Sequence, residues 1–218
     1  MTIALQANSS ALATTVSLGT HAVRDLIIIH ASNHGSSTVP TKPSGWVTGY
    51  SASVAGGSIV VGYKHAQTTS ETSGTWTNAT HLFATIWRGG TNTLVVPEFA
   101  GANTGTSITP NYPAQSAGSF KTDAANIALL AYILNSNTAN TLAAPGATTD
   151  LQSATDSSTW QAKQYYQLSR TTAWASTNST QANSAFWRTL MLSLIESDLY
   201  GISSGGIFFR PGMSGGFD

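Results

Sequence analysis

The segment RDLIIIHASNHGSSTVPTKPSGW, residues 24–46, decides the fold of the chain. It opens on an apolar run, residues 26–30, and continues through a polar loop into a turn that ends at Trp46. Isoleucine is stiff at χ1 and packs well on a pleated, buried surface. The run therefore predicts a central β-strand with Leu26 and Ile28 in the core, and Trp46 is expected to pack over that core.

Short strand-like runs recur along the rest of the chain, separated by segments rich in Gly, Pro, Ser, Thr and Asn. Residues 81–87 alternate with a period of two and are expected to be half-buried. Residues 184–199 also have the apolar spacing of a helix, so a helix is a second interpretation there, with a strand favoured. These patterns predict an all-β protein. The predicted strands are residues 3–5, 14–18, 26–30, 47–51, 58–64, 81–87, 94–96, 126–134, 161–169 and 185–196.

The order of features in the first half of the chain is repeated in the second half. In each half an apolar strand precedes a Pro-containing turn, a strand with tyrosine, a tryptophan and an aromatic-rich strand. The repetition predicts a single, jelly-roll-like β-sandwich over residues 1–200, in which a pseudo-two-fold axis relates residues 1–90 to residues 120–200. Alternation of strands and turns without duplication is the other interpretation. The expected core residues are Leu26, Ile28, Trp46, Tyr63, Trp87, Leu130 and Trp187.

Residues 201–218 form a Gly-rich C-terminal arm whose composition differs from the rest of the chain. Large apolar side chains in such a segment need a surface that covers them. The arm is therefore expected to dock either on its own domain or on a neighbouring subunit. The predicted contact residues are Ile207, Phe208, Phe209, Arg210 and Met213.

The composition restricts the classes of function. Charged residues make up only 8% of the chain, Lys and Arg balance Asp and Glu at nine each, and cysteine is absent. A neutral chain without basic clusters has no electrostatic footprint for nucleic acid or an anionic membrane surface. The apolar runs are too short to span a bilayer, and the N-terminus lacks the pattern of a signal peptide. Because low charge suits a free monomer poorly, the composition favours a protein that works inside an assembly.

No residue pattern indicates catalysis or a cofactor. His30 and His34 are four residues apart, but a strand and a loop do not give them the geometry of a helical metal site. The acidic residues show no paired motif, and neither a nucleophile elbow nor a phosphate loop is present. The six tryptophans are expected to pack in the core or in an interface rather than to form a sugar-stacking platform. The chain is therefore predicted to be non-enzymatic and to need no metal or cofactor.

Six short motifs carry a resemblance to a known family. They are DLII at 25–28, PSGW at 43–46, YKHA at 63–66, TWT at 75–77, IWRG at 86–89 and RPGMSGG at 210–216. The chain resembles a family of tailed-bacteriophage minor tail and structural virion proteins with a β-sandwich module, closely over residues 25–90 and loosely in the second half. The resemblance implies a structural role and transfers no catalytic residue. The family pattern has a glycine just before Asp25, where this chain has Arg24.

These observations lead to two main hypotheses about function. In the first, the protein is a structural component of a bacteriophage virion, in the tail tip, the baseplate or a head-surface decoration, and contacts copies of itself and other virion proteins. In the second, it is a lectin-like module that binds host surface polysaccharide through loop aromatics such as Trp76 and Trp174. Both place the protein in the virion after synthesis in the host cytoplasm, without nucleic acid or membrane insertion. A hydrolase is the remaining third hypothesis.

Overall fold

The computed structural model describes residues 3–91, 93–115, 127–156, 159–170 and 174–198. These residues form twelve β-strands and no helix. They consequently include no helix that is long and apolar enough to cross a membrane. The strands are β1 (Ala4–Ala11), β2 (Leu26–His34), β3 (Val47–Ala52), β4 (Gly57–His65), β5 (His81–Arg88), β6 (Thr93–Ser107), β7 (Asn111–Tyr112), β8 (Ile127–Asn135), β9 (Thr149–Thr155), β10 (Gln161–Arg170), β11 (Thr177–Asn178) and β12 (Ala185–Asp198).

Ten of the described strands form two five-stranded antiparallel sheets that pack against each other. The first sheet has the order β1-β5-β2-β4-β3 and the second has the order β6-β12-β8-β10-β9. β7 and β11 form a short separate pair. The predicted all-β sandwich is therefore confirmed. Its connectivity differs from a jelly roll, because each sheet is formed by one continuous part of the chain rather than by Greek-key connections between sheets.

The two sheets have the same strand order once each strand is matched to its counterpart. In sequence order and in sheet position, β1, β2, β3, β4 and β5 correspond to β6, β8, β9, β10 and β12. Across the sandwich, the edge strand β1 lies against β9, and β3 lies against β6. An approximate two-fold axis that runs between the sheets, along the strands, produces this arrangement. The second sheet begins at Thr93, so residues 93–107 belong to it and do not separate the two halves.

The central strands are apolar throughout because each is buried on both faces. Leu26 and Ile28 pack between the sheets, whereas Ile27 and Ile29 belong to a second cluster on the outer face of the first sheet. Neighbouring strands on both sides complete the burial of β2. A strand in this position has a continuous apolar run instead of an alternating one. β5 is also buried on both faces, so the expectation of a half-buried strand at residues 81–87 is wrong.

Chain segments that cross the outer faces of the sheets cover these second clusters. On the first sheet they join β1 to β2, β2 to β3 and β4 to β5, and they carry Trp46 and Trp76. On the second sheet Trp174 has the equivalent place. The backbone N–H of Trp76 donates to the Thr14 carbonyl at 2.8 Å, and the backbone N–H of Trp174 donates to the Gln115 carbonyl at 3.2 Å. The same backbone bond thus ties two crossing segments together in both halves of the protein.

The polar edge strands are the part of the fold that the sequence patterns predict least well. β1 includes the polar residues 6–10, whereas residues 14–18, predicted as a strand, cross the outer face without strand structure. β6 has 15 residues where the pattern predicts only residues 94–96, and β9 has no counterpart among the predicted strands. Edge strands bury only part of their surface, so their apolar pattern is weak. At residues 184–199 the described part, β12, is a strand and not a helix.

The residues expected in the core are distributed over all three apolar layers. Trp87 is also anchored by a hydrogen bond, because its Nε1 donates to the Thr85 hydroxyl at 2.9 Å. Leu26, Ile28, Trp87 and Leu130 lie between the sheets, Trp46 and Trp187 lie in the outer clusters, and Tyr63 is half-buried against the inter-sheet core.

Candidate functional site

The open surface cavities on the described part of the protein include a terminal and a lateral one. The terminal cavity, of about 340 Å³, lies where β2 begins and β5 ends, and is lined by residues 22–25, residues 88–91 and Thr93. The lateral cavity, of about 470 Å³, lies between residues 15–18 and residues 71–75. The described residues contain no group of three His, Cys, Asp or Glu side chains that could hold a metal ion. The chemistry of these cavities therefore depends on individual charged side chains.

Asp25 and Arg88 form an ion pair beside the terminal cavity, at what we call the arginine end of the sandwich. The Nε and Nη2 atoms of Arg88 donate to the two carboxylate oxygens of Asp25, both at 2.7 Å. Asp25 is buried, and it also accepts the Ala22 N–H at 2.7 Å. The bonded carboxylate raises the pKa of Arg88. The pair joins the start of β2 to the end of β5 and acts as a structural clamp.

Arg24, next to this clamp, has a backbone conformation that favours glycine. Its φ is 75°, in the left-handed region, and its N–H donates to the Ala66 carbonyl at 2.8 Å. A side chain in this region is strained because its Cβ crowds the following carbonyl oxygen. The turn into β2 requires this positive φ, which glycine adopts without strain.

Replacing Arg24 with Gly is expected to stabilise the protein by about 1 kcal/mol. The substitution removes the strain of a non-glycine residue at positive φ, which outweighs the freedom that glycine adds to the unfolded chain. Urea denaturation at pH 7 measures the change in the free energy of unfolding. Val23→Gly is the matched control, because Val23 is also exposed but does not have a positive φ. An Arg24→Gly protein that is less stable than wild type would contradict the inference that the backbone of Arg24 is strained.

Glu71 organises the loop beside the lateral cavity. Its Oε2 accepts a hydrogen bond from Lys64 Nζ at 2.6 Å, and its Oε1 accepts the N–H groups of Gln67 and Thr68 at 2.8 and 3.3 Å. The bond from Lys64 lowers the pKa of Glu71. Lys64 Nζ also lies 4.9 Å from the centre of the Trp46 ring. This carboxylate is therefore engaged in holding the loop and the lysine in place.

Three histidines lie at the opposite end of the sandwich, which we call the histidine end: His30 and His34 on β2, and His81 on β5. The rings of His34 and His81 are in contact, with their centres 3.7 Å apart. The Nδ1 atom of His34 lies 3.6 Å from Oδ2 of Asp156, which follows β9. The Trp160 ring also stacks on His34, with centres 5.4 Å apart. His34 therefore meets His81 and Asp156 rather than His30.

His30 contacts the second sheet. Its Nδ1 atom lies 2.8 Å from the Gln164 Nε2 atom, and its ring stacks on Tyr132 with centres 5.2 Å apart. Burial lowers the pKa of His30 to about 3, that of His81 to about 3 and that of His34 to about 4. All three imidazoles are consequently neutral at pH 7.

Arg188 adds a buried guanidinium near these histidines. Its Nη1 atom donates to the Ala52 carbonyl at 2.9 Å, and its Nε atom has no hydrogen-bond partner among the described residues. Burial lowers the pKa of Arg188, and the nearby Tyr50 and Tyr132 hydroxyls oppose that shift. The interior of the histidine end thus holds a positive charge already at neutral pH.

The tryptophans form no exposed aromatic platform within the described part of the chain. Trp76 is 0% exposed and Trp174 is 4% exposed, so neither ring can stack on a sugar in the folded protein. Among the six tryptophans, only Trp160 is half-buried rather than buried. The predicted contact residues of the arm, Ile207, Phe208, Phe209, Arg210 and Met213, lie outside the described residues, and their role stays a prediction.

The sequence patterns do not predict which side chains meet at the histidine end. The available signal is the alternation of His30, Ser32 and His34, which places three polar side chains on one face of a strand. The partners of that face, His81 and Asp156, come from a neighbouring strand and from the second sheet, and their positions depend on how the two sheets pack. No sequence spacing encodes that packing.

Comparisons with known proteins add no relative. No family model, no curated protein and no solved structure matches the chain. The structure defines an all-β sandwich whose two five-stranded sheets have matched strand orders.

Proposed function

We propose that the protein is a structural component of a bacteriophage virion that assembles with copies of itself and with other virion proteins. The observation that carries this proposal is the packing of the chain. Apolar side chains fill three layers, one between the sheets and one on the outer face of each sheet. Close packing of this kind gives low compressibility, which a building block under mechanical load requires. The function of such a unit lies on its surface.

The composition supports the same proposal. With 8% charged residues, the surface relies on Ser, Thr, Asn and Gln for its polarity. Neutral polar surfaces can be buried against a neighbour without the desolvation penalty of isolated charges. The motifs shared with virion proteins, most closely over residues 25–90, point in the same direction. The proposal assigns no catalytic step to the protein.

The C-terminal arm is the segment to which we assign the contact with a neighbouring subunit. β12 ends at Asp198, which pairs with Thr93 at the start of β6. Thr93 also lines the terminal cavity. The last described strand therefore ends at the arginine end of the sandwich.

Native mass spectrometry of the full chain tests the assembly. We expect a closed oligomer for the full chain and loss of that oligomer for a chain that ends at residue 200. The substitutions Ser203→Ala and Ser204→Ala are the matched control, because they change the arm without removing its apolar residues. A full chain that stays monomeric at micromolar concentration would contradict the proposal. So would failure to detect the protein by mass spectrometry in purified particles of the phage that encodes it.

The two tryptophans on which the carbohydrate-binding hypothesis was based are not accessible to a sugar. Trp76 and Trp174 are buried and hold the crossing segments in place. Their replacement would disturb the fold before it affected any ligand. We therefore do not carry this hypothesis further.

A further inference from the structure

The histidine end is unusual because titratable groups occupy the inward face of β2 there, whereas that face is apolar at the arginine end. His30, Ser32 and His34 alternate with residues of the outer cluster along β2, and Ser32 is paired with His81 on β5. At the other end of the same strand, Leu26 and Ile28 occupy the equivalent face. The inward face of β2 can therefore take up protons at the histidine end but not at the arginine end.

The ring pair of His34 and His81 has little capacity for positive charge. The ring centres are 3.7 Å apart, so two imidazolium ions would be in direct contact. His81 is 1% exposed, and neither of its ring nitrogens has a hydrogen-bond partner among the described residues. The Nε2 atom of His30 has none either. A proton added to His81 or to the Nε2 atom of His30 would be buried without an acceptor, which is strongly unfavourable.

The groups that face these histidines offset additional positive charge only in part, because Asp156 favours protonation of His34 and His81 but burial outweighs it and lowers the pKa of both. The carboxylate that faces them from the second sheet is Asp156, 3.6 Å from His34. Strand β8 contributes Tyr132 and β10 contributes the neutral Gln164. Strand β12 contributes the guanidinium of Arg188, and β3 contributes Tyr50 beside it.

We propose that the histidine end is an acid-sensitive latch, in which protonation of the His34–His81 pair separates the two sheets at this end while the aliphatic arginine end stays packed. The trigger is the contact between the two rings, and the opening gives each imidazolium access to water. The proposal is independent of the role in a virion.

The direction of the pH dependence follows from the pKa values. Burial lowers the pKa of His34 to about 4 and that of His81 to about 3, against about 6.5 for an exposed histidine. Above pH 6.5 both histidines are neutral in the closed and in the open form, and the latch is closed. As the pH falls from 6.5 towards 4, the histidines become protonated in the open form but stay neutral in the closed form. Each histidine then shifts the equilibrium towards the open form by roughly tenfold per pH unit.

Hydrogen exchange of the full chain, followed residue by residue by NMR between pH 7.5 and pH 4.5, tests the latch. Between pH 7.5 and pH 5, and after correction for the intrinsic exchange rate, we expect protection at residues 31–33 and 82–83 to fall by about a hundredfold or more. Residues 27–28 and 86–87, on the same strands at the arginine end, should keep their protection. Equal loss at both ends, or no loss at either end down to pH 4.5, would overturn the proposal.

Two variants separate the latch from general acid sensitivity. In the double variant His34→Gln, His81→Leu, the pair cannot titrate, so protection at residues 31–33 should depend much less steeply on pH between 7.5 and 5, with only His30 left to take up a proton on opening. His65→Gln, at the arginine end, is the matched control and should keep the wild-type response. A double variant with the wild-type response would overturn the proposal. If the double variant does not fold, the imidazole NMR signals of the wild type provide the test. His34 and His81 must become protonated at the pH where protection is lost. Protonation of both rings without loss of protection would overturn the proposal.

Discussion

Replacing Trp76 with Ala is expected to lower the free energy of unfolding by about 3–5 kcal/mol, the range of large-to-small substitutions of fully buried aromatic residues. Trp76 is 0% exposed and packs edge-on against Trp46, with ring centres 5.3 Å apart. Its ring also fills the space over Gly62, where an added Cβ would lie 2.5 Å from the ring. Its Nε1 donates to the Ser73 carbonyl at 3.0 Å. Truncation would remove the ring that holds a crossing segment onto the outer face of the first sheet.

Chemical denaturation at pH 7, followed by circular dichroism, measures this loss. Trp160→Ala is a suitable control, because Trp160 is half-buried at the histidine end and should cost less. Trp174→Ala should resemble Trp76→Ala, since Trp174 occupies the equivalent place on the second sheet and packs on Gly146. A loss below about 1 kcal/mol for Trp76→Ala would show that the crossing segment does not need its anchor.

The sequence predicted the centre of the fold because that centre has the strongest pattern. β2 and β8 are buried on both faces, and such strands have continuous apolar runs that cannot be confused with surface strands. The repeated order of features also indicated the duplication, which the matched strand order of the two sheets now displays. The burial of β5 was underestimated, because its outer face is covered by loop segments whose position no local pattern reveals.

The edges and the sites were less predictable, for different physical reasons. β1, β6 and β9 each have only one neighbour in their sheet, so their polar sequences resemble loops. The contact of His34 with His81 and Asp156 joins two strands of one sheet and the turn after β9 in the other. The positive φ of Arg24, 75°, was not predicted either, because it depends on how the turn enters β2 and not on the type of residue there.

Replacing Arg188 with Met is expected to stabilise the protein at pH 7 by roughly 1–4 kcal/mol. Arg188 is 4% exposed. Its Nη1 atom donates to the Ala52 carbonyl, and its Nε atom has no hydrogen-bond partner among the described residues. The cost of removing a cation from water exceeds the net value of one hydrogen bond. Methionine has a similar length and adapts to irregular space in a core.

Arg88→Met is the contrasting variant for this experiment. Arg88 is partly exposed and bonded to the buried Asp25, so its removal leaves a buried carboxylate without its cation and should destabilise the protein. Urea denaturation of both variants at pH 7 compares the two arginines directly. If Arg188→Met is instead destabilised by more than about 1 kcal/mol, the guanidinium contributes more to the interior through its hydrogen bond and packing than its desolvation costs.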